Sequence, residues 1–286
     1  MRIKDILSGD GYSVSFEVFP PRRDAPMEPV LDAVKELAGE KPSFISVTYG
    51  AGGGANANTV ALAEHVQNAC GVPALAHLTC LGSTREKIAA EIQALRRAGI
   101  ENVLCLRGDA PDGGAGGRDF AHAADLVRSL RPSSFCLGGA CYPECHPECE
   151  HIESDIGYLK AKVDAGLDFL TTQMFFDNNV YFRYLARLRN AGITIPVIAG
   201  IMPVTNGRQI SRICRLSGTV LPPRFRAIVD RFGDDPAAML SAGVAYATEQ
   251  IVDLFADGVK AVHVYTMNKP DVARRIMANL KGILNG

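Results

Sequence analysis

A single carboxylate stands near the end of an otherwise apolar segment, in the run SFEVFPP. Phe and Pro residues flank Glu17, and burial among such neighbours raises the pKa of a carboxyl group toward the range in which it donates a proton near neutral pH. A salt bridge to Arg22 or Arg23 is the structural alternative. We interpret Glu17 as a candidate general acid.

Other polar residues recur where further apolar segments end: Thr48, His77, Asp109, Tyr142, Gln173 and Tyr265. Each has a structural alternative, since Asp109 could close an Asx turn or cap a helix and His77 could be a hydrogen-bonded core histidine. The Gln173 amide offers donors and an acceptor, which suit either an amide-like ring edge or a buried hydrogen bond. If the segments are strands of one parallel barrel, these side chains converge on its carboxyl end.

A cysteine-rich run, CYPECHPECEH at 141–151, contains residue types that bind metals. Cys141, Cys145 and Cys149 are spaced C-x₃-C-x₃-C, with His146 and His151 nearby. Structural zinc normally uses close cysteine pairs with a second pair elsewhere, which this chain lacks, and iron–sulfur patterns have other spacings. We therefore expect no metal here. No G-x-S-x-G elbow, P-loop or H-E-x-x-H motif occurs, so hydrolase and kinase functions lack support.

The elements that must position these residues are short apolar segments alternating with amphipathic ones. Eight segments have the composition of strands buried on both faces of a parallel sheet: 12–19, 43–49, 74–80, 102–107, 135–142, 168–174, 196–201 and 260–265. Helical periodicity predicts helices at 28–40, 83–100 and 178–193, with Ser83 as the N-cap of the second. Two or three helices are expected between 218 and 258.

Eight strand-then-helix units predict an α/β fold, a single (β/α)₈ TIM barrel domain over residues 1–286 with extra helices before the eighth strand. An open doubly wound sheet is the alternative, but the fingerprint GxGxxG is absent after the first strand. Gly-rich loops follow the second and fourth strands, at 49–59 and 107–119. Small residues there would let backbone amides approach a ligand, although a flexible connection would explain 113–117 equally well.

Composition excludes several classes of protein. The chain has 286 residues, 47% hydrophobic and 21% charged, with a formal net charge of −1, which gives no reason to expect a nucleic-acid partner. No apolar run is long enough for a membrane span and no secretory leader is recognisable, so we expect a cytoplasmic protein with reduced thiols. Five of the eight cysteines lie in apolar stretches and are expected in the core: Cys70, Cys80, Cys105, Cys136 and Cys214.

Taken together, the motifs resemble those of the bacterial methylenetetrahydrofolate reductase family, essentially end to end and in the family's order. The matching segments are SFEVFPPR (15–22), FISVTYGAGG (44–53), HLTC (77–80), LRGD (106–109), YPECHPE (142–148), LKAKVDAGLDFLTTQMFFD (159–177) and GIMPVTN (200–206). The resemblance implies a TIM barrel that binds FAD without a Rossmann domain. It also implies ping-pong transfer of hydride from NADH or NADPH to 5,10-methylenetetrahydrofolate, giving 5-methyltetrahydrofolate.

The resemblance also assigns roles to residues. Glu17 matches the general acid that protonates N10 of the folate, and Asp109 matches the catalytic aspartate at the pterin edge. Residues that match FAD contacts are Thr48, Tyr49, Ala51, His77, Arg107, Gly108, Asp109, Ala123, Tyr142, His146, Asp155 and Lys162. Residues that match folate or nicotinamide contacts are Thr48, Asp109, Gln173, Gln209 and Lys269. Arg107 and Lys162 would suit the phosphates of FAD.

Two departures from the family pattern concern the folate site. Lys269 stands where relatives often have Arg, so the charge is kept and bidentate geometry is lost. Ile213 stands where some relatives have an aromatic residue. The sequence ends at Gly286, so the resemblance gives no expectation of the eukaryotic regulatory domain or of control by S-adenosylmethionine. It does imply a homo-oligomer.

Two other functions stay open at this stage. One is a homologous barrel that reduces another one-carbon carrier or takes electrons from a protein partner, which the cysteines at 141, 145 and 149 would favour. The other is a catalytically silent barrel subunit or binding module. The joint presence of Glu17, Asp109 and Gln173 argues against the silent barrel, which would have no use for an acid.

Overall fold

Eight parallel strands form a closed barrel in this computed structural model, which describes residues 1–21, 25–49, 56–108 and 119–285. The strands are β1 Ser13–Val18, β2 Ile45–Val47, β3 Ala74–Thr79, β4 Asn102–Leu106, β5 Cys136–Cys141, β6 Phe169–Thr172, β7 Val197–Ile201 and β8 Ala261–Tyr265. Each strand pairs with its neighbours in chain order, and β8 pairs with β1 to close the ring. The predicted (β/α)₈ barrel is confirmed, and every predicted strand is present.

Helices surround the barrel. They are α1 Ile3–Leu7, α2 Glu28–Gly39, α3 Asn56–Glu64 with a π-helical continuation His65–Ala69, α4 Arg85–Arg97, α5 Ala123–Leu130, α6 Ile152–Asp164, α7 Asn178–Asn190, α8 Gly207–Ser217, α9 Pro223–Phe232, α10 Pro236–Ala256 and α11 Pro270–Leu284. Two helices, α9 and α10, occupy the stretch between 218 and 258, as predicted. The N-cap of α4 is Thr84, whose side chain accepts a hydrogen bond from the Lys87 amide, so the assignment to Ser83 was wrong by one residue.

Side chains alternate between the barrel interior and the surrounding helices along each strand. In β1, Val14, Phe16 and Val18 join the large apolar cluster between strands and helices. Ser15 and Glu17 are also buried but take no part in that cluster, because successive strand residues point to opposite faces. The alternation places polar groups inside the barrel, which is where the chemistry-bearing residues of β1 are found.

The amino end of the barrel is closed by α1, which the sequence patterns did not predict. Ile3 is fully buried in a second apolar cluster, with residues at or next to the amino ends of the strands such as Phe44 and Phe169. Asn102 ties this plug to the barrel, since its side-chain oxygen accepts from the Ile3 amide at 2.8 Å and its amide nitrogen donates to the Ala74 carbonyl at 3.1 Å. A ligand must therefore enter from the carboxyl end.

All eight cysteines are free thiols. Cys80, Cys105 and Cys136 are buried as expected, but Cys70 and Cys214 are only half-buried, so the prediction that they are core residues was wrong. Cys70 directly follows the π-helical turn, and Cys214 lies on α8, whose one buried residue is Ile210. Among the described residues, no helix has the length and apolar character needed to cross a membrane.

Candidate active site

Glu17 lies one residue before the carboxyl end of β1, paired in register with Ser46 of β2 and Tyr265 of β8. The residue is 8% exposed. Burial raises the pKa of its carboxyl group to about 8, and the nearby Ser46 hydroxyl opposes the shift only in part. The strand therefore holds a carboxyl group that stays largely protonated at neutral pH, as a proton donor requires.

Two histidines face this carboxyl group without compensating a negative charge. The Nε2 atom of His77 lies 3.7 Å from Oε2 of Glu17, and Nε2 of His263 lies 4.0 Å from the same oxygen. Burial lowers the pKa of both imidazoles to about 3, so both rings are neutral at neutral pH. Within the described parts of the chain, Glu17 has no cationic partner.

His263 is held by two serines, and the sequence interpretation missed all three residues. Its Nδ1 atom lies 2.8 Å from the Ser15 hydroxyl, and its Nε2 atom lies 3.0 Å from the Ser46 hydroxyl. The available signal was the alternation of Ser13, Ser15 and Glu17 in a strand that is otherwise apolar. This network fixes the His263 ring beside Glu17 and gives both nitrogens of the ring a hydrogen-bond partner.

His77 differs from His263, because its buried Nε2 atom has no hydrogen-bond partner among the residues that the structure describes. The residue is 7% exposed and lies at the carboxyl end of β3, beside Glu17. A buried ring nitrogen without a partner carries a desolvation cost that a bound polar group can offset. The unpartnered atom therefore favours the interpretation of His77 as a ligand contact over that of a satisfied core histidine.

The wall opposite β3 is closely packed around Tyr265. Its hydroxyl donates to the Thr172 carbonyl at 2.6 Å, and a Cβ at Gly200 would stand 2.3 Å from that same carbonyl oxygen. Gln173 directly follows Thr172, and its side-chain oxygen accepts from the Met174 amide at 2.9 Å. The hydrogen bond orients the Gln173 amide at the end of β6.

A separate cleft of about 420 Å³ opens between the carboxyl ends of β4 and β5 and the helices α5 and α6. Six residues that the resemblance assigned to FAD line it: Arg107, Ala123, Tyr142, His146, Asp155 and Lys162. They come from two strand ends, one loop and two helices, so only the tertiary fold brings them together. The volume lies in the range of small-molecule sites.

The cleft combines cationic and anionic groups. The Lys162 amino group donates to the Ala140 carbonyl, and loss of water around it lowers its pKa. Burial raises the pKa of Asp155, which accepts a hydrogen bond from the His146 amide at 3.1 Å. Arg107 forms a two-pronged ion pair with Glu148, which is 60% exposed. An ion pair with so exposed a carboxylate contributes little to stability.

Other residues assigned by the resemblance lie at strand ends near the barrel mouth. Thr48 follows β2, and its amide donates to the Val18 carbonyl at 3.0 Å. The Tyr49 hydroxyl points away to α4, where it donates to Glu91 at 3.1 Å. Gly108 has φ +86°, and a Cβ there would approach Thr79 at 3.0 Å, so this position requires glycine.

The two folate positions furthest along the chain are exposed. Gln209 lies in the first turn of α8, and Lys269 precedes α11 and donates to the Thr205 hydroxyl at 2.8 Å. Ile213 packs in an apolar cluster beside the barrel. Ala51, Asp109, Arg22 and Arg23 lie outside the described residues.

The cysteine run does not form a cluster suited to a metal. Cys141 is buried in β5, whereas Cys145 and Cys149 are half-buried in the loop that follows. The Cys145 thiol lies 3.6 Å from the Cys149 carbonyl oxygen. In the described part of the chain, no three His, Cys, Asp or Glu side chains are grouped as metal ligands. The loop instead contributes Tyr142, His146 and Cys149 to the cleft.

Comparison with known proteins relates this geometry to characterised relatives. The family model described as methylenetetrahydrofolate reductase matches residues 2–281. A 5,10-methylenetetrahydrofolate reductase of Escherichia coli K12 is 34% identical over 269 residues, which cover 94% of this chain and 90% of that protein. Methylenetetrahydrofolate reductase (NADH) 1 of Arabidopsis thaliana is 34% identical over 297 residues, covering 98% of this chain and 50% of the plant protein. The chain thus spans about half the length of the plant relatives.

Solved structures share the fold at low sequence identity. A protein from Clostridium thermocellum, described as uncharacterised and binding two copies of 5-methyl-5,6,7,8-tetrahydrofolic acid, superposes with a TM-score of 0.68 at 13% identity. The match covers 99% of this chain and 98% of that one. A dihydropteroate synthase from Thermus thermophilus gives a TM-score of 0.52 at 15% identity, covering 96% and 95%. At such identities the likeness concerns the fold alone.

Proposed function

Because the chain belongs to the methylenetetrahydrofolate reductase family, we propose that it reduces 5,10-methylenetetrahydrofolate to 5-methyltetrahydrofolate. The electrons would come from NADH or NADPH through a bound FAD. One observation carries the proposal: the buried carboxyl group of Glu17, with its pKa raised to about 8, lies at the open end of the barrel. A structural carboxylate would be ionised and paired, whereas burial raises the pKa of this one and the described residues give it no cationic partner.

Glu17 would act on the five-membered ring of the folate. Its proton passes to N10 as the bond between N10 and the bridging carbon breaks, and the electron pair of that bond stays on N10. The N5 lone pair then forms a double bond to the carbon, which gives an iminium that accepts hydride. A carboxyl group with a pKa of about 8 is protonated before this step and still acidic enough to donate, which is the balance that general acid catalysis needs.

The surroundings of Glu17 would keep its carboxyl group protonated until the folate is bound. The Ser15 and Ser46 hydroxyls fix the His263 ring, whose Nε2 lies 4.0 Å from the carboxyl group, and burial keeps that ring neutral. Among the described residues, no cation therefore stands beside the carboxyl group to favour loss of its proton. His77 offers its unpartnered Nε2 at the mouth. We propose that this nitrogen contacts the flavin, in keeping with the family assignment, since a polar ring edge would satisfy it.

The cleft residues fit FAD. Lys162 and Arg107 would hold the two phosphates, because both are cations that line the same cleft. Asp155 and His146 would accept or donate hydrogen bonds to sugar hydroxyl groups, and Ala123 and Gly108 would allow close approach of the chain. Bound FAD would supply the hydride carrier between the nicotinamide and the folate. Thr48, Tyr49, Ala51 and Asp109 complete the proposed cofactor contacts.

The folate and the nicotinamide would occupy the barrel mouth in turn. Gln173 is oriented by its hydrogen bond to the Met174 amide and would recognise the amide edge of either ring system. Gln209 and Lys269 are exposed at the rim, where they would contact the part of the folate that projects from the barrel. Asp109 would hold the pterin, as in the family.

Half-reactions of the flavin separate this proposal from its alternatives. The purified protein should be yellow, its absorbance should be bleached by NADH or NADPH, and 5,10-methylenetetrahydrofolate should restore it. Glu17→Gln should keep FAD and its bleaching but lose reoxidation by the folate, at least 100-fold in rate. Glu64→Gln, at an exposed glutamate of α3, is the matched control and should behave as wild type.

Different failures point to different corrections. If Glu17→Gln reoxidises at the wild-type rate, Glu17 is not the acid. A protein that cannot be loaded with FAD would be a silent barrel. Bleaching only by a reduced protein donor would indicate the partner-coupled homologue.

A further inference from the structure

A second cleft, of about 790 Å³, lies among the helices that surround the barrel. Its walls are the start of α7, the start of α9 and the last three turns of α10, and it shares no lining residue with the cleft between α5 and α6. We propose that this second cleft binds a small molecule that carries a primary ammonium group on an alkyl chain. The inference is independent of the reductase chemistry.

Two buried amide side chains line the second cleft, and each has an oxygen without a hydrogen-bond partner among the described residues. Asn178 is 9% exposed and Gln250 is 6% exposed. Their nitrogens fix the orientation of both amides. Asn178 Nδ2 donates to the Gln250 carbonyl at 3.0 Å and to the Asp253 carboxylate at 2.6 Å, and Gln250 Nε2 donates to the Phe175 carbonyl at 2.9 Å. Exchanging oxygen and nitrogen would set acceptor against acceptor, so the unpaired atoms are oxygens. A buried acceptor without a partner is costly, and a bound N–H donor would supply one.

The other side-chain donors of the second cleft are already in use. The Arg224 guanidinium donates to both carboxylate oxygens of Glu249, at 2.8 and 2.7 Å, and lies over the Tyr246 ring at 5.8 Å from its centroid. The Tyr246 hydroxyl donates to the Phe176 carbonyl at 2.6 Å. The side chains that remain for a ligand are therefore acceptors.

Two carboxylates of the second cleft lack a cation. Among the described residues, neither Asp177 nor Asp253 forms an ion pair; Asp253 accepts from Asn178, and Asp177 accepts from the Asn179 amide at 2.9 Å as the N-cap of α7. Because Asp177 already occupies that helix start, an anion is not favoured there. No three carboxylate, thiol or imidazole groups of the described chain are gathered as metal ligands, so these carboxylates suit an organic cation.

Apolar surface adjoins these acceptors. The lining includes Pro222, Pro223, Val252 and Ala256, besides the Tyr246 ring. An alkyl chain that covers this surface removes it from water. An ammonium group has three donors and no acceptor, which matches a cleft with unpaired oxygens and spare negative charge. The two halves of an alkylammonium ion therefore fit the two kinds of surface.

Titration of the purified protein with n-butylammonium chloride tests this site. Binding is measured by calorimetry and by NMR shifts of the side-chain amide signals of Asn178 and Gln250. For so small a ligand we expect a dissociation constant on the order of 1 mM. Butanol and butyrate lack the positive charge, and tetramethylammonium lacks N–H donors, so each should bind at least about 10-fold more weakly.

Two matched variants separate a direct contact from general attraction. Asp253→Asn keeps the shape of an exposed side chain and removes its charge, and it should weaken n-butylammonium about 3- to 10-fold. Asp257→Asn removes the same charge just beyond the last turn of α10, outside the lining, and should bind as wild type does.

Saturable shifts of the Asn178 and Gln250 side-chain signals, with the expected order of ligands and variants, would support the site. Three results would overturn it. The first is no saturable binding in the millimolar range. The second is equal binding of tetramethylammonium, or equal losses in Asp253→Asn and Asp257→Asn, since the attraction would then be to surface charge in general. The third is binding that leaves both side-chain amide signals unmoved.

Discussion

Replacing Glu17 by Gln should make the protein more stable, and increasingly so as the pH rises. The folded protein keeps a proton on this carboxyl group up to a pKa of about 8, whereas the ordinary value is 4.5. Between these two pH values the folded state holds one more proton than the unfolded state. Stability therefore falls as the pH rises through this window. Glutamine has the same shape and no proton to lose, so the variant should lack the decline.

The size of this effect follows from the thermodynamic linkage between proton binding and folding. One extra proton in the folded state changes the free energy of unfolding by about 1.4 kcal/mol per pH unit. From pH 6.0 to 7.5, wild type should lose about 2 kcal/mol relative to Glu17→Gln. His77 and His263 make the free energy of unfolding rise with pH instead. Burial lowers their pKa from 6.5 to about 3, so between these pH values the unfolded state holds more protons than the folded state. Both proteins carry these histidines, so their contribution cancels in the difference.

The assay is urea unfolding of the flavin-free protein at several pH values between 6.0 and 7.5, since a bound ligand would shift the apparent stability. The quantity of interest is the difference in unfolding free energy between wild type and Glu17→Gln at each pH. Glu64→Gln provides the control, because its exposed carboxylate is hydrated in both states. A difference that stays constant across this pH range would refute the reasoning, since Glu17 would then be ionised in the folded protein.

Three other substitutions test separate parts of the structure. Thr84→Ala removes the cap that accepts from the Lys87 amide and should lower the free energy of unfolding by about 1 kcal/mol, measured by urea titration. Gly243→Ala would bring a Cβ within 1.9 Å of the Val204 carbonyl oxygen, and the forced shift should lower the melting temperature in calorimetry by an amount equivalent to about 1–3 kcal/mol. Lys162→Met removes a cation from the cleft and should weaken FAD binding about 10- to 100-fold, with a smaller dependence of the dissociation constant on salt; unchanged affinity would exclude a phosphate contact.

The architecture was largely predictable from the sequence because its signals are local. Near-continuous apolar runs mark strands buried on both faces, and helical periodicity marks the segments between them. Errors arose where neighbouring residues offered equal local chemistry, as with Ser83 and Thr84 at the start of α4. The short helix α1 was missed because its burial depends on Asn102 and Phe44, which are distant in sequence.

For the candidate site, the sequence by itself determined that Glu17 is a carboxyl group in an apolar strand, and that its neighbours would bury it. Tertiary structure alone decided that His77 and His263 lie beside it, and that Ser15 and Ser46 hold His263. These contacts depend on closing the ring, which pairs β1 with β8 across nearly the whole chain. Local patterns carry no information about such register. The direction of each side chain, and so the pKa of Glu17, is fixed only when the barrel closes.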